Sequence, residues 1–235
     1  MSNESIVKNA SKSSGHTQRN WDFSKPVLPE HIDILKDVAI QACSKQGIAP
    51  YSLCVSSDLK FNELLYTCST SSGDSIYGQT DLVRNSQLNA PLILAFLTYS
   101  EHQLMDMDKE ERIALGFKDR FGEMDCNQTD IDFSVGIAAG SVAFAAATLG
   151  YKTGFCSCIN IDMFREKLAQ SNYSKEVKDM WQSKIADDFL VVCIGNPKEE
   201  LKRGYVVNKE DKIVATIPPV VQKDIPVIKF RRSQP

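Results

Sequence analysis

Two short clusters of polar and basic residues stand near the ends of the chain, and their types suit a phosphate group. His16, Thr17 and Arg19 fall within four residues at the front, and Lys229 and Arg231 alternate close to the end. Imidazole and hydroxyl groups donate hydrogen bonds to phosphate oxygens, and a guanidinium binds two oxygens at once. In an extended segment the side chains of Lys229 and Arg231 would point the same way. A solvated basic tail is the alternative interpretation of such clusters.

Several common kinds of site are missing from the sequence. It contains no Gly-Lys-Ser/Thr triplet of a phosphate loop, no G-x-G-x-x-G motif and no H-E-x-x-H motif. The three histidines lie far apart, and Cys156 with Cys158 supplies two of the four ligands that zinc requires. We therefore predict no metal site. The two thiols are expected to be small buried hydrophobic groups rather than a metal or redox pair.

The composition is that of an ordinary globular protein of 235 residues, with 43% hydrophobic residues and a net charge of −3. A weakly acidic surface argues against nucleic acid and anionic membranes as partners, because both carry phosphate charge. Seven scattered cysteines do not resemble a disulfide framework and favour a reducing compartment. The polar N-terminus lacks the apolar core of a secretory signal, so we predict a cytoplasmic protein.

Hydrophobic periodicity predicts helices alternating with strands, which is typical of mixed layer structures. Residues 1–14 are mostly Ser, Asn and Lys and are predicted to form a disordered leader before a single domain over 15–235. Asp130 or Asp132 is expected to cap a helix that ends at Gly150. The other predicted helices cover 29–43, 161–168 and 174–183, and the predicted strands cover 52–57, 91–98 and 188–195.

Two segments of this outline bear on assembly and on substrate access. Residues 133–149 carry no charge, but they are rich in Gly, Ala and Ser, which favours a buried helix over a membrane span. Gly136 and Gly140 lie on one face of that helix and permit close approach of another backbone, often across a subunit interface. Residues 105–128 are charged and include Phe117 and Phe121, which indicates a surface excursion of the kind that forms lids.

These pieces, in this order, resemble the nitroreductase family of flavin mononucleotide (FMN) enzymes. The resemblance runs over about residues 15–232. It is carried by the entry HTQRNW, the helix PEHIDILKDVAIQACSKQG, the strand NAPLILAF, the helix AGSVAFAAATLGYKTG, the strand VVCIGNP and the tail IPVIKFRR.

The resemblance implies an α+β fold with a central, mainly antiparallel sheet flanked by helices. It also implies a homodimer whose subunits exchange their C-terminal extensions and hold two FMN molecules between them. Ten residues match FMN-binding positions of the family: His16, Thr17 and Arg19 with Lys229 and Arg231 at the phosphate, Arg84, Asn85 and Ser86 before the 91–98 strand, and Ser157 and Cys158 beside the ring.

The implied activity is transfer of hydride from NAD(P)H through FMN to a small acceptor such as a nitroaromatic or a quinone. The cofactor carries this chemistry, so no catalytic acid or base is expected. Phe117 and Phe121 are expected at the substrate pocket. The chain departs from the family in having Gly47 where an Asn is usual and Ser157 where an acidic residue is common. A specialised flavin enzyme of the same fold, such as a dehalogenase or flavin-modifying enzyme, and a non-catalytic flavin-binding dimer therefore remain alternatives.

Overall fold

A computed structural model describes residues 2–14, 17–44, 49–69, 83–98, 108, 110, 127–183, 189–198, 204–207 and 212–216. His16, Gly47, Phe117, Phe121, Lys229 and Arg231 lie outside the described residues. The described helices are α1 (Asn3–Ser14), α2 (Pro29–Ile40), α3 (Leu59–Thr67), α4 (Gln128–Thr148), α5 (Ile161–Ala169) and α6 (Lys175–Ser183). The described strands are β1 (Tyr51–Ser56), β2 (Val83–Arg84), β3 (Leu92–Thr98), β4 (Lys152–Cys156), β5 (Phe189–Gly195), β6 (Gly204–Val207) and β7 (Lys212–Thr216).

The main sheet is antiparallel and has the strand order β1-β3-β5-β4. Leu94 at its centre pairs with Val55 on one side and Val192 on the other. All seven residues of β3 are buried, because an apolar strand without alternation needs cover on both faces. The predicted strands are therefore confirmed, and so is the α+β class. A second, three-stranded sheet has the order β2-β6-β7.

Helices cover both faces of the main sheet and divide the core in two. On one face Leu35 of α2 and Val142 of α4 pack against sheet residues such as Phe96. On the other face Phe164 of α5 and Trp181 of α6 meet with ring centroids 4.8 Å apart. Burial of such aromatic side chains is the largest favourable term that a core of this kind supplies.

Helix α4 is the long central helix predicted from the uncharged stretch. Its N-cap is Asn127 rather than Asp130 or Asp132, since Asn127 and Asp130 form a reciprocal capping box. Gly150 follows its end with a φ of 93°, as a C-terminal glycine should. By length and composition α4 is one helix of the described chain that could cross a membrane, but its buried face packs on the sheet, as in a core helix.

The first residues differ from the prediction of a disordered leader. Residues 3–14 form α1, which packs against α4 with Ala10 almost fully buried. Its end is fixed to β4, since Lys152 Nζ donates a hydrogen bond to Ser13 Oγ at 2.7 Å. The prediction of disorder from composition was wrong because a polar helix such as α1 needs few apolar residues when it packs against a longer helix, here α4.

Candidate functional site

The segment that carries Thr17 and Arg19 runs along the edge strand β4. Thr17 pairs with Thr153 in a parallel bridge, and the Gln18 amide donates to the Thr153 carbonyl at 2.7 Å. The two backbones come so close at Gly154 that a Cβ placed there would lie 2.8 Å from the Gln18 carbonyl oxygen. Gly154 is therefore required by lack of space, and it fixes the path of the segment.

Trp21 anchors the far end of this segment in the core. Its indole Nε1 donates to the carbonyls of Ser86 at 3.0 Å and Gln87 at 3.2 Å. The next residue, Asp22, donates its amide to the Asn196 carbonyl at 2.9 Å. Residues 17–22 are thus held at both ends, which places Arg19 between β4 and the turn that follows β2.

Arg19 is fixed by Asn85, because its Nη1 donates to Asn85 Oδ1 at 2.7 Å. Asn85 is 7% exposed and has further partners. Its backbone N–H donates to Ser69 Oγ at 2.9 Å, and its side-chain Nδ2 donates to Cys156 Sγ at 3.0 Å. Because the buried side-chain amide of Asn85 has several partners, it holds one orientation, and the Arg19 guanidinium that binds it therefore has a defined position.

Two thiols complete the cluster. Cys156 Sγ accepts hydrogen bonds from Asn85 Nδ2 and from the Cys158 amide at 3.3 Å. The Cys156 thiol beside it, together with the Ser157 backbone and the Arg19 charge, lowers the pKa of Cys158 to about 6 despite partial burial. The same thiol contact and burial raise the pKa of Cys156. Cys156 is buried in the core, as predicted, and Cys158 is partly buried and packs against the same core, but Cys158 also lies close to the Arg19 charge.

Two buried polar atoms on the residues that flank Asn85 have no hydrogen-bond partner among the described residues. They are Arg84 Nε and Ser86 Oγ. An unpaired buried donor costs about 1–3 kcal/mol, so a guanidinium nitrogen and a hydroxyl group left in this state favour a polar, anionic ligand. This donor set fits the phosphate and hydroxyl groups of FMN. The described residues hold no group of three His, Cys, Asp or Glu that suits a metal.

A cavity of about 390 Å³ opens beside Ser157, next to the cluster. Its walls come from the ends of the sheet and from the first half of α4, and they mix polar with apolar groups. The lining residues are Thr98, Asp132, Val135, Gly136, Ser157, Phe189 and Leu190. Ser157 therefore links the cavity to the two cysteines that flank it.

The structure brings together much of the set that the sequence indicates. Contacts join Arg19 to Asn85, Asn85 to Cys156, and Cys156 to Cys158, while Ser86 lies beside them through its carbonyl bond to Trp21. The remaining described candidates, Thr17, Arg84 and Ser157, are on the same or adjoining segments. His16, Lys229, Arg231, Phe117 and Phe121 lie outside the described residues. Sequence reasoning missed Ser69, Thr153 and Gly154; a glycine in an extended segment was the signal available for the last.

Neither a protein-family sequence model nor any curated protein sequence matches this chain. Solved structures do match it. A nitroreductase family protein from Clostridium novyi NT is 15% identical and superposes with a TM-score of 0.53, over 86% of this chain and 90% of that one. The chain has the nitroreductase fold.

Two further structures support this assignment of the nitroreductase fold. A nitroreductase with bound FMN from Desulfitobacterium hafniense DCB-2 is 15% identical with a TM-score of 0.52, over 97% of this chain and all of that one. A protein from Staphylococcus epidermidis, provisionally described as an NAD(P)H:FMN oxidoreductase, is 13% identical with a TM-score of 0.51, over 82% of this chain and 87% of that one. The chain thus spans most or all of the length of these nitroreductase-fold proteins.

Proposed function

We propose that this protein is an FMN-dependent oxidoreductase that passes hydride from NAD(P)H through the flavin to a nitroaromatic, a quinone or a similar small acceptor. The fold supports this proposal, and one of the similar structures contains FMN. The observation that carries it is the position of Arg19, fixed by Asn85 at 2.7 Å, with the unpaired Arg84 Nε and Ser86 Oγ on the two residues that flank Asn85. This is a prepared site for an anion with hydroxyl groups.

FMN supplies the hydride chemistry when it is bound. The chain supplies position and electrostatics. Arg19 and Arg84 would provide positive charge for the phosphate, and the Ser86 hydroxyl group would donate a hydrogen bond. Asn85 keeps Arg19 in place without adding charge. Phe189 contributes an apolar wall to the adjacent cavity, which limits access of water.

We propose a homodimer, because one face of α4 is apolar and open. Phe133 is 65% exposed and Ile137 is 48% exposed on this face. A Cβ added at Gly136 or Gly140 would meet none of the described atoms within 4 Å. The described part of the chain therefore offers no partner for the smooth surface that the two glycines create, and a second copy would bury it.

The decisive experiment is an absorbance titration of the purified protein with FMN. Arg19→Ala should weaken FMN binding roughly 10- to 150-fold, because a charge-assisted hydrogen bond to phosphate contributes about 1.5–3 kcal/mol. Lys36→Ala, which removes one positive charge from the exposed part of α2, is the matched control and should bind FMN normally. Equal affinity of the two variants would contradict the assignment of Arg19.

Reduction distinguishes an oxidoreductase from a passive flavin binder. The FMN-loaded protein should bleach when NADH or NADPH is added without oxygen, and the colour should return with a quinone or nitroaromatic. Protein that binds FMN but is not bleached by either nucleotide would refute the proposed activity while leaving the binding site intact.

A further inference from the structure

We propose that Cys156 and Cys158 form a redox-active dithiol, in which Cys158 attacks hydroperoxides and Cys156 resolves the product to a disulfide. The hydride transfer proposed above uses neither thiol as a reactive group, although the family resemblance places Cys158 beside the flavin ring. The proposal starts from the cluster described above, which consists of the two sulfur atoms, the Arg19 guanidinium and the buried side-chain amide of Asn85.

The two cysteines are held close by the backbone that joins them. Cys156 Sγ lies 3.3 Å from the Cys158 amide nitrogen, so the sulfur folds back over the Ser157 peptide towards the next side chain. The two thiols also share a side-chain hydrogen bond, so both sulfur atoms lie on the same side at the end of β4. A disulfide between them would then require a side-chain rotation rather than a rearrangement of the sheet.

The pair has unequal access to solvent, as an attacking and a resolving thiol require. Cys158 is half-exposed at the surface beside Ser157, whereas Cys156 is 3% exposed and accepts a hydrogen bond from Asn85 Nδ2 at 3.0 Å. A hydroperoxide from solvent therefore reaches Cys158 first. Cys156 is protected from overoxidation and lies within reach of the oxidised sulfur.

The surroundings stabilise a sulfur anion at Cys158. The Cys156 thiol donates to it, and the Arg19 charge, fixed by Asn85, lies close by. These are the neighbours that make a cysteine reactive at neutral pH. Cys54, by contrast, is partly buried with a pKa raised by that burial, so it serves as an unreactive reference in the same chain.

The two steps balance as written. The Cys158 thiolate attacks the terminal oxygen of ROOH, the O–O bond breaks, and Cys158 becomes a sulfenic acid while ROH leaves after taking a proton. Cys156 then attacks the sulfenic sulfur, the S–O bond breaks, and its thiol proton leaves with the hydroxyl group as water. The dithiol loses two electrons, and the hydroperoxide gains them.

The test treats the reduced protein with hydrogen peroxide, quenches it at intervals, and maps every cysteine by mass spectrometry. At pH 7 Cys158 should react at least about fourfold faster than Cys54, because its larger thiolate fraction outweighs its lower intrinsic nucleophilicity. A peptide with a Cys156–Cys158 disulfide should accumulate, and a dithiol reductant should reverse it.

Two variants test the separate roles. Cys156→Ser keeps a hydroxyl donor beside Cys158, so sulfenic acid should build up there and be trapped by dimedone. Cys54→Ser, the control, should leave disulfide formation unchanged. Oxidation of Cys158 no faster than Cys54, or formation of sulfinic acid without a disulfide in the unaltered protein, would overturn the proposal. Neither result bears on FMN affinity, which the absorbance titration measures separately.

Discussion

Gly154→Ala provides a direct test of how the candidate site is positioned. The added methyl group would lie 2.8 Å from the Gln18 carbonyl oxygen and 3.2 Å from Gln87 Cγ. Carbon atoms do not approach a backbone oxygen this closely, so the segment with Arg19 must move away from β4 by several tenths of an ångström. Overpacking of this kind costs about 1–3 kcal/mol, which is roughly a 5- to 150-fold change in the folding equilibrium.

The assay is urea unfolding followed by the fluorescence of Trp21 and Trp181, both of which are buried. Gly154→Ala should lower the free energy of unfolding and should also weaken FMN binding, since Arg19 moves with its segment. Gly150→Asn is the control: no described atom lies within 4 Å of the added Cβ, so its cost is the backbone strain of a side chain at a φ of 93°, about 1 kcal/mol, and it should leave FMN binding unchanged. If Gly154→Ala unfolds and binds FMN as the unaltered protein does, the close approach at β4 does not position the site.

Three other perturbations have defined outcomes. Gly140→Leu should leave the stability of the folded chain unchanged or raise it by about 0.5–1 kcal/mol, because it adds a good helix former where no described atom lies within 4 Å. It should also weaken self-association, as measured by sedimentation. An unchanged dimer would show that this face is not the interface. The rate of Cys158 alkylation by iodoacetamide should rise with pH and reach half its maximum at about pH 6. The reason is that Cys156 and Arg19, the titratable and charged groups that face Cys158, favour its thiolate. Cys156→Ala should shift this midpoint upward, and a midpoint near 8.5 in the unaltered protein would contradict the prediction. Asn62→Ala should lower the free energy of unfolding by about 1–3 kcal/mol, because the buried Asn62 Nδ2 donates a hydrogen bond to the Ala90 carbonyl at 2.9 Å. Thermal or urea unfolding measures this change. An unchanged stability would show that water takes over the hydrogen bond to Ala90.

The parts of the fold that sequence could predict are those where hydrophobic pattern alone determines the structure. Strands β3 and β5 are continuous apolar runs and must be central, and α4 is bounded by capping residues and a glycine. Helix α3 gave a weak signal but is capped by Asp58, whose carboxylate accepts from the Lys60 amide at 2.8 Å. The buried face of α3 packs against residues of α5, and those residues are far from α3 in the sequence.

The sequence proposes a list of candidate site residues but does not predict how they are arranged. Arg19 and Asn85 are 66 positions apart, and no local pattern indicates that one fixes the other. The pKa of Cys158 likewise depends on the guanidinium of Arg19, which is close in space but far away in the sequence. Composition predicts two inert thiols because it counts residue types, whereas the pKa of a thiol depends on neighbours that the fold supplies.

The way residues 17–22 are held has a consequence for folding on the ribosome. Their partners are Thr153, Ser86 and Asn196, and the bond from Asp22 to Asn196 closes a loop of more than 170 residues. The segment is synthesised before all of these partners and cannot reach its final position until β5 and the turn after it have been made. We expect the Arg19 cluster to form late and slowly, as contacts of high sequence separation do. A nascent chain stalled before residue 196 would therefore lack both the bond that anchors residues 17–22 and the central strand β5 that joins β3 to β4.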